Sequence, residues 1–435
     1  MVPEGAGASE TQKLNVTLPP QPASVAEARQ LVRSLLTGSG REDLLDTAVL
    51  LVSELVTNAL LHAATDIGVS ATLDGEGLHV GVADGSRHLP SRREYGPTSG
   101  TGRGLLMLES MVDEWGVTQR RDGKTVWFLL SATEAHAPAP ALADTSLPKR
   151  LRSREKTVPV ELRNMPLLLH AAWQEHAEAL LREYLLVGLE SDDGDPIQMH
   201  ADATDAIAVL EEHVPRAPVP MEPDRIMGDA IEPRVSASRL EVPVPVNSVS
   251  HFETLDRAIQ AALDLSEDGL VLTPPTQPEV QAFRRWLVRQ VLDQANGGTA
   301  EPWSVPEVDD DPLRGPPEWV PESVTDADHA TIAADHANRI LAVSQPAADM
   351  LGYDDPEDLV GERIVTIVPE RYRQAHVAGF TMYLLVGRRP LIDSPVVVPA
   401  LRRDGTEVDV VLLVREQAVS PGRSVLLADL RLAED

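Results

Sequence analysis

The chain has 435 residues, 68 acidic against 38 basic side chains for a net charge of −30, and no cysteine. That balance argues against nucleic acid or an anionic membrane as partner. The missing thiols exclude disulfides, thiolate metal sites and a flavin–cysteine photoadduct. Apolar residues make up 43 % and aromatics 3 %, so roughly two to four domains are expected, with cores mainly of Leu, Val and Ala. No apolar run approaches the ~20 residues of a membrane span, and the first residues lack a signal pattern. A cytoplasmic location is the expectation.

In chain order, residues 14–18 read as an edge strand ahead of Pro19-Pro20, and Ser24 as the cap of a helix over 25–36. A helix over 42–64 follows, then strands near 67–73 and 78–83. Residues 87–99 form a loop that carries Arg92 and Arg93, read as solvated. Residues 105–112 continue as a helix towards Trp115, and strands over 116–120 and 124–130 close a helix-over-sheet sandwich.

The helix over 42–64 carries the chemistry. Glu54, Asn58 and His62 stand four residues apart and share one stripe, beside an apolar face of Leu51, Val52, Leu55, Val56, Ala59 and Leu60. An amide oxygen there can ligate Mg2+, and a carboxylate one turn away can take a proton from an attacking hydroxyl. The strand over 78–83 runs into Asp84, whose carboxylate at a strand end can accept a hydrogen bond from an adenine amino group. Thr98-Ser-Gly-Thr-Gly-Arg-Gly104 then opens into a helix, an arrangement that lets backbone NH groups approach phosphates.

In this order the motifs resemble the GHKL ATPase superfamily, specifically its actinobacterial anti-sigma-factor serine/threonine kinase branch, over residues 12–131. Glu54-x-x-x-Asn58-x-x-x-His62 is similar to the N box, Asp84 to the adenine-binding acid, and Gly102-Arg103-Gly104 to the glycine box. Gly123-Lys124-Thr125-Val-Trp looks like the closing strand, whose Thr lies near the adenine. The resemblance implies Glu54 as general base and Asn58 as Mg2+ ligand. ATP would bind through Asn58, Asp84, Gly102, Arg103, Gly104 and Thr125. One departure stands out: the family's acidic box reads Asp-x-Gly, whereas here the glycine comes one place early, as Asp84-Gly85-Ser86.

Residues 132–158, Ala/Pro-rich and then basic, read as a linker, and 159–298 as a mostly helical region of unknown role. Helices are expected from Asn164 and Pro166 through 186, and over 196–213, 248–265 and 278–295, with a Pro/Val stretch at 240–246. His170 and His176 are six apart, do not share a face as metal pairs do, and read as structural or surface residues. Residues 299–321 form a Pro/acid-rich linker.

From 322 to 435 the chain resembles a PAS domain, in Asn338-Arg-Ile-Leu-Ala-Val, Met350-Leu-Gly-Tyr353, Ile367-Val-Pro-Glu-Arg-Tyr-Arg-Gln-Ala-His376 and the Asp404-Gly405 turn. That resemblance implies sensing or dimerisation. Haem PAS sensors carry their axial His in a context similar to that of His376, but Val396 stands where they place an Arg. His376 is therefore expected at the solvent edge, without haem, and the PAS ligand is left open.

The reading is a multidomain α+β protein: an N-terminal GHKL α/β sandwich, a helical middle and a C-terminal PAS α/β domain. It is expected to be a serine/threonine kinase using ATP and Mg2+ on an anti-sigma-factor antagonist, under PAS control. The alternative is a non-catalytic ATP-binding module that sequesters a sigma factor or other partner. A homodimer is expected, with neither nucleic acid nor membrane as partner.

Overall fold

The computed structural model describes residues 11–75, 77–86, 108, 111–120, 123–131, 156–189, 195–215, 217, 230–274, 276–305, 319–386, 392–420 and 423–433. The loop with Gly102, Arg103 and Gly104 lies outside the described residues, as do Arg92, Arg93 and the side chain of His62. Contacts divide the chain into two compact units. One comprises Met1–Lys156 with Leu185–Ala208, the other Thr157–Tyr184 with Val209–Asp435.

In the first unit, β1 (Gln12–Leu18), β2 (Ile67–Leu73), β3 (Gly77–Asp84), β4 (Glu114–Arg120) and β5 (Gly123–Ser131) form one antiparallel sheet, in the order β1-β2-β3-β5-β4. Strand alternation decides which face is covered. Leu78, Val80 and Val82 of β3 and Val126, Phe128 and Leu130 of β5 share one core with α1 (Ala23–Leu36) and α2 (Leu45–Ala63). That core is chiefly Leu, Val and Ala, as the composition implies. The α1 helix begins at Ala23 after Pro22, so Ser24 is not its cap. The Ser24 hydroxyl instead donates to the Pro19 carbonyl at 2.7 Å, inside the preceding turn. A 3-10 turn, Glu42–Leu44, leads into α2, which stops where Ala64 turns left-handed at φ 47°. One described segment, Glu42–Leu61, is long and apolar enough to cross a membrane, with mean hydropathy 1.7. Its Leu51, Val52, Leu55 and Val56 are buried in this core.

In the second unit, residues 157–166 prove to be a strand rather than the end of a linker and the start of a helix. This strand, β6 (Thr157–Pro166), pairs antiparallel with β7 (Ser236–Pro245), which takes up the Pro/Val stretch. The following helix, α3 (Leu167–Leu189), starts later than Asn164 because that residue sits left-handed at φ 53° and cannot continue a helix. Helices α4 (Pro196–His213), α5 (Val249–Glu267) and α6 (Pro278–Ala295) stand close to where the sequence placed them. Residues 185–208, the end of α3 and the start of α4, belong to the first unit.

Helix α6 is tied to β6 by a reciprocal amide. Gln294 accepts from the Glu161 N–H and donates to its carbonyl, both at 2.9 Å, and so acts as one residue of a missing strand. The few aromatics are concentrated here: Trp173, Phe283, Trp286 and Trp303 pack with ring centroids 5.6–5.9 Å apart.

After α7 (Glu322–Thr325), strands β8 (Ala330–Ala334), β9 (Ile340–Val343), β10 (Val396–Leu401), β11 (Glu407–Ser420) and β12 (Arg423–Leu432) form a second antiparallel sheet, in the order β10-β11-β12-β8-β9. Helices α8 (Gln345–Leu351) and α9 (Glu370–Val386) fall between β9 and β10. The β10–β11 turn is the expected Asp404-Gly405, with Gly405 at φ 83° and Arg402 N–H donating to Thr406 O at 2.8 Å.

This sheet and the helices before it share buried polar contacts. Gln277, ahead of α6, donates to Val377 O and Thr381 Oγ1 at 2.9 Å and accepts from Asn338 Nδ2 at 2.9 Å. Arg363 donates to Glu279 at 2.8 Å with both side chains buried.

Candidate active site on the first unit

Glu54 and Asn58 lie one turn apart on the half-buried edge of α2, while Leu55, Val56, Ala59 and Leu60 hold the opposite face in the core. Neither side chain hydrogen-bonds to another described residue. Among the described residues no group of three or more His, Asp or Glu side chains could hold a metal by itself. A metal at Asn58 would therefore be shared with a ligand's own oxygens, the usual state of phosphate-bound Mg2+.

Asp84 closes β3 with its side chain on the helix-covered face. Its Oδ1 accepts from Ser86 N–H at 2.8 Å and from Lys124 Nζ at 3.1 Å, and both members of this ion pair are buried. Burial pushes the Asp84 carboxyl up, and Lys124 pulls it back down. Among the described residues no donor engages Oδ2.

The early glycine of this turn has a local reason. Thr65, just past the end of α2, accepts from Gly85 N–H at 2.8 Å. A Cβ on Gly85 would stand 2.7 Å from Thr65 Cγ2 and 3.0 Å from Oγ1. Gly85 is thus fixed by how closely Thr65 approaches. Gly123 does the same on the other side: at φ 156° its missing Cβ would lie 1.9 Å from the Asp84 carbonyl.

The strand register separates two neighbours that the sequence reading took together. Asp84 faces Lys124 and Ala83 faces Thr125. Directly opposed residues point to the same face, so Lys124 shares Asp84's side and Thr125 lies on the other. There Thr125 sits against Gly81, beside the His79–Trp127 stack, with its buried hydroxyl unpartnered. The Lys at 124 went unremarked in the sequence, although counting alternation back from Val126 and Phe128 identifies its face.

The histidines of the second unit sort differently. His170 is buried against Trp173 and Phe283, and burial lowers its pKa to about 4. His176 is also buried, with Nε2 at 2.8 Å from Pro274 O. Both are structural. His376 is half-buried rather than exposed: its Nε2 meets Asn338 Nδ2 at 2.7 Å, and burial followed by the charge of Arg363 lowers its pKa to about 4.

These placements put Glu54, Asn58, Asp84 and Thr125 on one sheet-and-helix scaffold. Residues 18–130 match the histidine kinase-like ATPase domain. No curated protein matches the chain. Similar solved structures include the PAS domain of an HTR-like protein from Haloarcula marismortui, at 19% identity over 26% of this chain and 87% of that one, with TM-score 0.21. The Rhodobacter sphaeroides LOV protein is 17% identical over 26% of this chain and 65% of its own, with TM-score 0.23. The PAS domain of a Desulfitobacterium hafniense protein is 16% identical over 25% and 94%, with TM-score 0.21. The match ends at residue 130, within β5, the last strand of the first sheet along the chain.

Proposed function

We propose that the chain is an ATP-dependent serine/threonine kinase of the anti-sigma-factor type that phosphorylates an anti-sigma-factor antagonist, with the C-terminal PAS-like region controlling it. The observation that carries this is the pair Glu54 and Asn58 on one half-buried stripe of α2, inside the region that matches the ATPase domain. Asn58 would hold Mg2+, which when bound would offset the charge of the phosphates. Asp84 orients the base. Glu54, one turn from Asn58, takes the proton from the attacking serine hydroxyl. Gly102, Arg103 and Gly104 would cover the phosphates from their loop.

The test is transfer of labelled phosphate from ATP to candidate antagonists encoded in the same genome. Glu54→Gln keeps size and helix propensity, so the fold and ATP affinity should survive. Transfer should fall by ~10²–10⁴-fold, the usual share of acid–base catalysis. If Glu54→Gln regulates its partner as well as wild type does, the chemistry is dispensable and the kinase reading is wrong.

A further inference from the structure

Asp84 does not stand alone at its end of the helix-covered face. The register places the Lys124 side chain on the same face, with Nζ 3.1 Å from Asp84 Oδ1 and both groups buried. A buried ion pair is weak evidence of stability, because desolving two charges offsets most of their attraction. Gly123 nevertheless pins the start of β5 onto the Asp84 carbonyl, so Lys124 has little choice of position. An ammonium carries three donors. One is spent on Asp84 Oδ1, and Asp84 Oδ2 is engaged by no described donor.

We propose that Lys124 is a specificity-determining residue of the nucleotide site. Asp84 and Lys124 present an acceptor and a donor side by side, Oδ2 accepting from the 6-amino group of adenine and Nζ donating to ring N1. The inference rests on reading this site as an ATP site and adds a second recognition contact to it. Guanine offers the reverse order along that edge, an O6 acceptor and then an N1–H donor. It would set like against like at both atoms, which is the stronger form of discrimination because buried groups are left unpaired.

The experiment is calorimetric titration of the full chain with Mg-ADP and with Mg-1-deaza-ADP, in which ring N1 is replaced by CH. Wild type should bind the deaza analogue about tenfold more weakly, the value of one lost hydrogen bond. In Lys124→Met the two nucleotides should bind alike. Should Lys124→Met fail to fold, Asp84→Asn/Lys124→Met removes both charges and should show the same loss of discrimination. Equal binding of the two nucleotides by wild type, or discrimination retained in either variant, overturns the role of Lys124. Wild-type protein that binds neither nucleotide removes the ATP-site reading itself, and this inference with it.

Discussion

Asn338 and His376 share a hydrogen bond of 2.7 Å that fixes the tautomer of the ring. The Asn338 amide also donates to Gln277 Oε1, so its NH2 group serves two acceptors at once. His376 Nε2 must then be the acceptor nitrogen, and the ring is neutral. Protonation would set N–H against N–H2 at a half-buried ring.

That geometry predicts an acid-sensitive second unit. The pKa of His170 and His376 is about 4 in the folded chain, below the ordinary 6.5. A lowered folded pKa contributes stability that is present above the unfolded value and lost as pH falls through the folded one. Unfolding midpoints in urea, followed by tryptophan fluorescence, should therefore drop between pH about 6.5 and about 4. The effect of His170 is on the order of 3 kcal/mol, with the partial offset from Glu211 already included. His170→Phe should flatten the profile; an unchanged slope would show that other groups set it.

The Thr65–Gly85 contact predicts a suppressible lesion. Gly85→Ala drives a methyl against Thr65 Cγ2, an overpacking cost of about 1–3 kcal/mol. Thr65→Ser removes that methyl and keeps the hydroxyl that accepts from residue 85. The double variant should regain part of the loss, and a double-mutant cycle would read the coupling. Strict additivity would mean that the two residues do not meet as described.

For the base, Asp84→Asn should weaken adenine nucleotides by about 1–3 kcal/mol, the range for a charged hydrogen-bond partner. GTP should bind poorly from the outset. Calorimetry decides this, and equal binding of ATP and GTP would sink the adenine assignment.

For the phosphates, Asn58→Asp should abolish the Mg2+-dependent part of ATP binding as well as turnover, whereas Glu54→Gln spares binding. Titrations with and without Mg2+ separate the two. Loss of binding in both variants would mean that α2 itself has been disturbed.

Much of this was legible along the chain. Helices over 196–213 and 278–295 were marked by proline at their first residue and by their own periodicity, which are local signals. The stripe of Glu54 and Asn58 follows from a four-residue spacing alone. What was not legible depended on residues distant in sequence. Strand β6 was hidden because its partner β7 lies far along the chain and because prolines, Pro159 opposite Pro243 among them, read as linker. His376 looks like a surface residue in the sequence because its partner Asn338, itself bonded to Gln277, comes from outside its own helix. The motif names Thr125 and passes over Lys124, whereas only the register with β3 reveals that Lys124 shares the face of Asp84.

The interrupted make-up of the first unit bears on how it can be handled. Ile197 packs on its core, and the buried His200 ring lies 2.8 Å from the Leu61 carbonyl at the end of α2. Both come from residues 185–208, well past residue 130, where the ATPase match gives out. A clone cut at that boundary would strip an apolar patch bare and leave a helix end uncapped. Poor expression of such a fragment would reflect a missing piece of its own interior, and an expression plasmid for nucleotide work should run on to residue 208 or beyond.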